Sequence, residues 1–197
     1  CGCFWGAEKC FWKLPGVITT SVGYAGGKKN NPTYYEVCSG LTGHSEVVRV
    51  IWDKREIDVS DLLKMFWECH DPTQKNRQGN DMGTQYRSAI YYKNENNIKT
   101  ILASKEQYQT ELSKKNLGLI ETEIKMIDSY FYAEQYHQQY LASAGSRQYC
   151  SASPTKVKLG VFTGSNYKLE DHIWENFNWE VDKCVLRSDN NPIKNNI

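Results

Sequence analysis

Four apolar residues near the start of the chain recur at helical spacing, and Pro15-Gly16 ends the run. They are Phe4, Ala7, Phe11 and Leu14. Such a stripe predicts an amphipathic helix that begins at Cys3 and packs one face on the core. Residues 17–24 and 47–52 are rich in β-branched side chains, which predicts two strands.

The rest of the chain alternates between helical and extended patterns. Helices are predicted from 59 to near Asp71-Pro72, at 98–112 and at 169–177. Strands are predicted at 86–92 and 119–127, and an aromatic-rich short helix or turn at 132–141. The polar stretch 73–84 contains two glycines and is predicted to be loop. Because loop rather than helix joins the first strands, this order favours an α+β sandwich over a doubly wound sheet.

Composition limits the class of protein. The 197 residues suffice for one well-packed domain, and the net charge of +1 comes without a basic stripe for nucleic acid. No apolar run approaches the roughly 20 residues that span a bilayer, so we expect no membrane association. The seven cysteines are odd in number and irregularly spaced, which disfavours a disulfide scaffold. They include no Cys-x-x-Cys pair, which disfavours a zinc site and a thioredoxin-type motif. We therefore expect reactive thiols in a reducing intracellular compartment.

Cys3 is the first candidate for thiol chemistry. A thiol at a helix N-terminus meets the positive end of the helix dipole and several unpaired N–H groups, which favours the thiolate. Gly2 and Gly6 flank it and permit close approach of backbone or substrate. The alternative is a buried structural cysteine next to the core aromatics Phe4 and Trp5.

Glu46 is a candidate proton donor. It stands at the mouth of an apolar strand, where partial burial would raise the pKa of its carboxyl towards neutrality. Three further polar residues lie on turn-rich segments, where site residues are common: Tyr34, Asp81 and Tyr86. Each of these, taken alone, is equally compatible with a structural or solvated role.

Seven motifs follow one another along the chain. They are Gly-Cys-Phe-Trp-Gly-Ala-Glu at 2–8, Gly-Tyr-Ala-Gly-Gly at 23–27, Asn-Pro-Thr-Tyr-Tyr-Glu-Val-Cys-Ser at 31–39, Gly-His-Ser-Glu at 43–46, Phe-Trp-Glu-Cys-His-Asp-Pro at 66–72, Arg-Gln-Gly-Asn-Asp-Met-Gly-Thr-Gln-Tyr-Arg-Ser at 77–88 and Tyr-Ala-Glu-Gln-Tyr-His-Gln-Gln-Tyr-Leu at 132–141. In combination they closely resemble the peptide methionine sulfoxide reductases of the A type, over roughly residues 2–150.

The resemblance implies a ferredoxin-like two-layer sandwich, an α/β roll, as the fold. Residues 1–150 would form the catalytic domain, and residues 151–197 a long irregular C-terminal extension packed on or trailing from that domain. The chain departs from the family pattern after Cys150, where Ser-Ala-Ser-Pro replaces a glycine-rich tail. The next cysteine is Cys184, far downstream.

The resemblance also assigns catalytic roles. Cys3 matches the nucleophile that attacks the sulfoxide sulfur and becomes a sulfenic acid, and Glu46 matches the acid that protonates the departing oxygen. Cys150 matches the resolving cysteine, which forms a disulfide with Cys3. Thioredoxin or another dithiol would then reopen the disulfide. Cys184 either shuttles the disulfide outward or is only a thiol of the tail.

Substrate-binding roles follow in the same way. Phe4 and Trp5 match the walls that hold the S-methyl group, and sulfur packs well on aromatic rings. Tyr34 and Tyr86 match the tyrosines whose hydroxyls hold the sulfoxide oxygen, and Asp81 matches a group that positions the substrate. Converging hydroxyl donors stabilise an oxygen that gains negative charge in the transition state.

The predicted function is therefore thiol-dependent reduction of methionine S-sulfoxide, in oxidised proteins or free, by a monomer without metal or bound organic cofactor. One alternative is a non-catalytic module that binds oxidised methionine, but it would lack a thiol or the acid, and both are present. A second alternative is a thiol peroxidase or redox sensor. The aromatic walls disfavour it, because peroxide needs no methyl pocket.

Overall fold

The computed structural model of the chain describes residues 1–178. Its α-helices are α1 (Phe4–Trp12), α2 (Tyr34–Cys38), α3 (Val59–Glu68), α4 (Ile98–Lys114) and α5 (Asp171–Trp174). Its strands are β1 (Val17–Ala25), β2 (Ser45–Trp52), β3 (Arg77–Gln78), β4 (Asp81–Met82), β5 (Ala89–Tyr92), β6 (Glu123–Met126) and β7 (Tyr130–Tyr132). None of the helices in this part of the chain is long and apolar enough to cross a membrane.

The largest sheet has three antiparallel strands in the order β2-β1-β7. Strands β3 and β4 form a small antiparallel hairpin, and β5 and β6 pair in parallel. Tyr24 of β1 stands opposite Glu46 of β2, and Phe131 of β7 pairs with Tyr24 on its other side. This register places the start of β2, an edge strand of the sheet, at the sheet end where Glu46 accepts a hydrogen bond from the N–H of Phe4 in α1.

Helix ends follow recognisable sequence signals. Thr33 and Glu36 form a capping box in which each side chain accepts from the backbone N–H of the other, and this box starts α2. Asp58 caps α3 in the same way, together with Asp61. The capping residues explain why both helices begin where they do, because each box satisfies two backbone donors that the helix itself leaves unpaired.

The main apolar core lies where α1, α3 and α4 meet. Trp67 of α3 and Tyr108 of α4 stack at 5.5 Å between ring centroids, and both are fully buried. Four residues after position 151 enter the same core: Val157, Leu159, Phe162 and Phe177. The described part of the C-terminal extension therefore packs on the same hydrophobic core as the rest of the chain.

The mixed helical and sheet character predicted from the sequence is confirmed. The stretch predicted as loop at 73–84 contains the hairpin β3–β4, and the strand predicted from residue 86 begins at Ala89, after a 3₁₀ turn at Thr84–Tyr86. The short helix α2 and the three-residue strand β7 were not predicted. Both are too short to show a period in the sequence.

Candidate active site

Cys3 lies at the N-cap of α1 and is half-buried. The backbone N–H groups of Trp5 and Gly6 hydrogen-bond its sulfur and act to lower its pKa. Burial nevertheless raises the pKa of the thiol well above its ordinary value, and the charge of Glu46 raises it further. The expectation that the helix terminus favours a resting thiolate is therefore wrong, because the loss of solvent outweighs the two N–H groups.

Glu46 is held at the start of the same helix. Its Oε2 accepts a hydrogen bond of 2.9 Å from the backbone N–H of Phe4, the residue that follows Cys3. The side chain is only 3% exposed, and burial raises its pKa to about 8. The predicted desolvation of this carboxyl is confirmed, and its proton is available at neutral pH.

Tyr34 and Tyr86 both lie within electrostatic range of Cys3 and Glu46. Burial is the main cause that raises the pKa of both hydroxyls, and the charges of Glu46 and Cys3 contribute to both. Both side chains therefore remain protonated and can donate. The hydroxyl of Tyr34 donates to the thiol of Cys38 one helical turn later, so it must turn to reach a substrate.

An aromatic wall follows Cys3 along the first turn of α1. The indole Nε1 of Trp5 donates to Nδ1 of His137 at 3.0 Å, and the Trp5 ring stacks on Tyr140 with centroids 3.8 Å apart. The Phe4 ring lies 5.1 Å from the His137 ring. Burial lowers the pKa of His137, which keeps the ring neutral and its Nδ1 able to accept. The wall is thus fixed at both the ring edge and the ring face of Trp5.

Sequence reasoning missed two residues that attach this wall to the sheet. Glu134 accepts from the hydroxyl of Tyr24 at 2.8 Å and from the backbone N–H of Tyr34 at 2.9 Å. Gln138 accepts from the N–H of Val22 at 2.8 Å and donates to its carbonyl at 3.0 Å. Both lie within the last of the seven motifs, but their residue types alone do not indicate these partners.

A second buried carboxyl belongs to Glu8 of α1. It accepts from the hydroxyl of Thr20 at 2.9 Å and from the backbone N–H of Gln139 at 2.8 Å. Burial raises its pKa to about 7. These two hydrogen bonds hold α1 against β1 and against the segment that contains Gln139. Glu8 is therefore buried like Glu46, but its partners are not those of Glu46.

Asp81 and the segment around Cys150 lie together. The carboxylate of Asp81 accepts from the hydroxyl of Tyr149 at 2.6 Å and also from the hydroxyl of Ser151. Cys150, between these two donors, is disulfide-bonded. Cys3 is a free thiol. Cys184 lies outside the described residues.

One group of side chains has the composition of a metal site. The ligand atoms of Cys1, Cys69 and His70 all lie within 4.8 Å of one another. Both ring nitrogens of His70 are already hydrogen-bonded, Nδ1 to the carbonyl of Phe66 and Nε2 to the hydroxyl of Ser88, each at 2.7 Å. We assign no metal to this group, because a metal would have to displace one of these short hydrogen bonds.

A thiol beside a buried neutral carboxyl, with an aromatic wall on one side, defines a thiol-dependent redox enzyme. A sequence model of the family "Peptide methionine sulfoxide reductase" matches residues 1–167 of the chain. The chain is 58% identical over 158 residues to the peptide methionine sulfoxide reductase MsrA of Azotobacter vinelandii, covering 80% of this chain and 73% of that protein. It is 56% identical to the MsrA of Vibrio vulnificus over 79% of this chain and 74% of that protein.

Solved structures agree with these relatives. Mxr1 from Saccharomyces cerevisiae in reduced form superposes with a TM-score of 0.70 at 34% identity, over 77% of this chain and 85% of that chain. Methionine sulfoxide reductase A of Corynebacterium diphtheriae superposes with a TM-score of 0.67 at 44% identity, over 81% and 79%.

The chain therefore belongs to the peptide methionine sulfoxide reductase family, and the resemblance to its A type is confirmed. It is an enzyme that reduces methionine sulfoxide by thiol chemistry, in a family without a prosthetic cofactor.

Proposed function

We propose that Cys3 is the nucleophile of this reduction and Glu46 its proton donor. The Cys3 thiolate forms a bond to the sulfoxide sulfur while the neutral carboxyl protonates the sulfoxide oxygen. The hydroxyl then passes to the Cys3 sulfur as the bond between the two sulfurs breaks, so that methionine leaves and Cys3 becomes a sulfenic acid. The observation that carries the pairing of these two residues is the hydrogen bond of 2.9 Å between Glu46 and the N–H of Phe4, the residue that follows Cys3 at the start of α1. It holds the acid at the backbone of the residue that follows Cys3, and the effect of its charge on the pKa of Cys3 supports a position near the reacting sulfur.

The substrate is held by the surrounding side chains. The rings of Phe4 and Trp5 pack on the S-methyl group, and the hydroxyls of Tyr34 and Tyr86 donate to the sulfoxide oxygen. The protonated state of both hydroxyls supports this role. It matters most in the transition state, where the oxygen carries more negative charge than in the bound sulfoxide. Asp81 orients the rest of the substrate.

Cys150 resolves the sulfenic acid. Its thiol attacks the sulfur of Cys3, a disulfide forms, and the hydroxyl leaves with the thiol proton as water. Cys184 then accepts the disulfide from Cys150 by thiol exchange, and thioredoxin or another dithiol reduces it. A disulfide-bonded Cys150 together with a free thiol on Cys3 supports such a transfer.

The finer features of the molecule follow from the same family. We infer a ferredoxin-like roll for residues 1–150, with residues 151–197 as an extension of the same domain, and a monomer as the active form. The four core residues after position 151 support a single folding unit. The described residues supply no argument for a binding module or a peroxidase over the reductase.

A single-turnover assay on each sulfoxide epimer tests the proposal. The reduced enzyme, without added reductant, is mixed with an excess of free or peptide-bound methionine sulfoxide, and methionine and thiols are counted before and after. We expect about one methionine per enzyme from the S epimer within the first turnover, accompanied by the loss of two thiols. Methionine release without any loss of thiols would contradict thiol-based reduction.

A further inference from the structure

The segment that carries Cys150 is attached to the hairpin β3–β4 at regular intervals. Asp81 accepts from the hydroxyls of Tyr149 and Ser151, and the backbone N–H of Ser153 donates to Gln78 at 3.1 Å. Cys150 therefore lies between two donors that share one carboxylate. Hydroxyl-to-carboxylate hydrogen bonds are about twice as strong as bonds between neutral groups, so this carboxylate is the principal attachment of the segment.

The hairpin is shaped for this contact. Gly79 at its turn has a φ of +56°, and a Cβ there would lie 2.1 Å from the carbonyl oxygen of Ser151. The close approach of the segment thus depends on a glycine at this position. Gln74 accepts from the N–H of Gly79 at 2.8 Å and holds the turn in place.

The hairpin that holds the segment lies against the start of the active-site helix, because Gln78 pairs with Asp81 and a Cβ added at Gly2, the residue before Cys3, would lie 2.6 Å from the Cβ of Gln78. The hydrogen bond to Asp81 is the main cause that raises the pKa of Tyr149 to about 12, and the charge of Cys3 also contributes. The charge of Asp81 in turn acts on both Cys3 and Glu46. Asp81 is therefore close enough to the reacting groups to serve a substrate, but its two oxygens are occupied by the segment.

We propose that Asp81 is a shared anchor, which orients the substrate during reduction and then holds Tyr149 and Ser151 so that Cys150 reaches the sulfenic acid. This inference rests on the proposed function, in which Asp81 contacts the substrate and Cys150 resolves Cys3. Substrate and segment exclude each other at this carboxylate, so the segment docks once methionine has left. Tyr149 and Ser151 are then positioning residues, because they act on the reaction only through Cys150.

The step that docking controls is disulfide formation. The Cys150 sulfur forms a bond to the Cys3 sulfur, the S–O bond of the sulfenic acid breaks, and the hydroxide combines with the proton of the Cys150 thiol to form water. The sulfenic acid supplies the oxidising equivalent, and no further reactant is needed. Early docking would block the substrate, and late docking would leave the sulfenic acid open to over-oxidation.

Two variants and a matched control test the shared anchor. Tyr149→Phe and Ser151→Ala each remove one hydroxyl from Asp81. Ser153→Ala alters an exposed side chain and keeps the backbone N–H that donates to Gln78. We measure methionine release and disulfide formation separately in single turnovers, and KM and kcat with the reductant in excess.

Loss of one charge-assisted hydrogen bond is expected to slow disulfide formation about tenfold or more in both variants. Methionine release in the first turnover should remain at least as fast as in the wild type, and the KM for methionine sulfoxide should fall several-fold, because the competing segment is loosened. Ser153→Ala should match the wild type in all respects. A merely structural defect would not lower KM.

Disulfide formation at the wild-type rate in both variants would overturn the docking role, and an unchanged or raised KM would overturn the competition for Asp81. A wild type that releases no methionine would instead reject the proposed function itself. The folded state of each variant is checked by circular dichroism. If one of them does not fold, the other carries the same comparison.

Discussion

Replacing Glu46 with glutamine separates two effects of this carboxyl on Cys3. The side chain is 3% exposed, and burial raises its pKa to about 8. Measured from the ordinary value of 4.5, this corresponds to a preference for the neutral carboxyl on the order of 5 kcal/mol. At pH 7 about ten neutral carboxyls are therefore present for each ionised one, which is the state that a proton donor needs.

Glutamine has the same shape but no proton to give. Methionine release in a single turnover at pH 7 is expected to fall about 100- to 10,000-fold in Glu46→Gln. The thiol should respond in the opposite direction. Because the charge of Glu46 raises the pKa of Cys3, the neutral amide should lower that pKa, and iodoacetamide should alkylate Cys3 faster at alkaline pH. The variant thus combines more thiolate with less reduction.

Both rates are measured as a function of pH, with alkylation at Cys3 followed by mass spectrometry. In the wild type, proton donation is lost as the pH rises through about 8, and the variant should lack this loss. Glu8→Gln is the matched control, since it replaces a buried carboxyl with a pKa of about 7 whose partners lie elsewhere. Alkylation that is unchanged or slower in Glu46→Gln, or reduction near the wild-type rate, would refute the reasoning.

The same substitution has a defined effect on stability. The pKa of Glu46 is about 8 in the folded protein and near its ordinary value of 4.5 when unfolded, so the folded state binds the proton more tightly. The unfolded state therefore gains stability relative to the folded state as the pH rises from about 4.5 to about 8. The free energy of unfolding in urea should fall less over this window in Glu46→Gln than in the wild type.

Three further substitutions have separable outcomes. Cys3→Ser should abolish methionine release, and substantial activity would reject the nucleophile assignment. Cys150→Ser should still release about one methionine per enzyme but fail to cycle with thioredoxin, whereas normal turnover would show that another thiol resolves the sulfenic acid. Trp5→Phe keeps a ring but removes the donor to His137, a loss of about 0.5–1.5 kcal/mol, so KM should rise about two- to tenfold with a smaller change in kcat. An unchanged KM would show that this hydrogen bond does not shape the methyl pocket.

The longer helices were predictable because the spacing of their apolar residues indicates which face of each helix is buried. Helices α1, α3 and α4 each carry an apolar stripe, and their observed starts lie within one residue of the predicted ones. The helix α2 has too few residues for a stripe. Its capping box, Thr33 with Glu36, was present in the sequence and could have revealed it. The strand β7 carries no such signal, since its pairing with β1 depends on residues more than a hundred positions away.

The site likewise contains residues that the sequence identified and contacts that it did not. Motif order identified the chemistry-bearing residues, because Cys3 and Glu46 have the types that thiol reduction requires. Their contact through the N–H of Phe4 joins residues 42 positions apart and is visible only in three dimensions. The partners Glu134 and Gln138 were missed for a related reason. They bond backbone and hydroxyl groups of β1 and α2, and no local pattern encodes such long-range hydrogen bonds.

The two expected pKa shifts show where local reasoning ends. For Glu46, the expectation came from burial and held. For Cys3, it came from the helix dipole and failed, because burial dominates. The two groups are nevertheless coupled in a useful direction: when Glu46 takes up a proton, the charge that opposes ionisation of Cys3 disappears. A neutral Glu46 therefore makes the thiolate of Cys3 easier to form, and the reaction needs both states together. A substrate sulfur with positive character would stabilise the thiolate further.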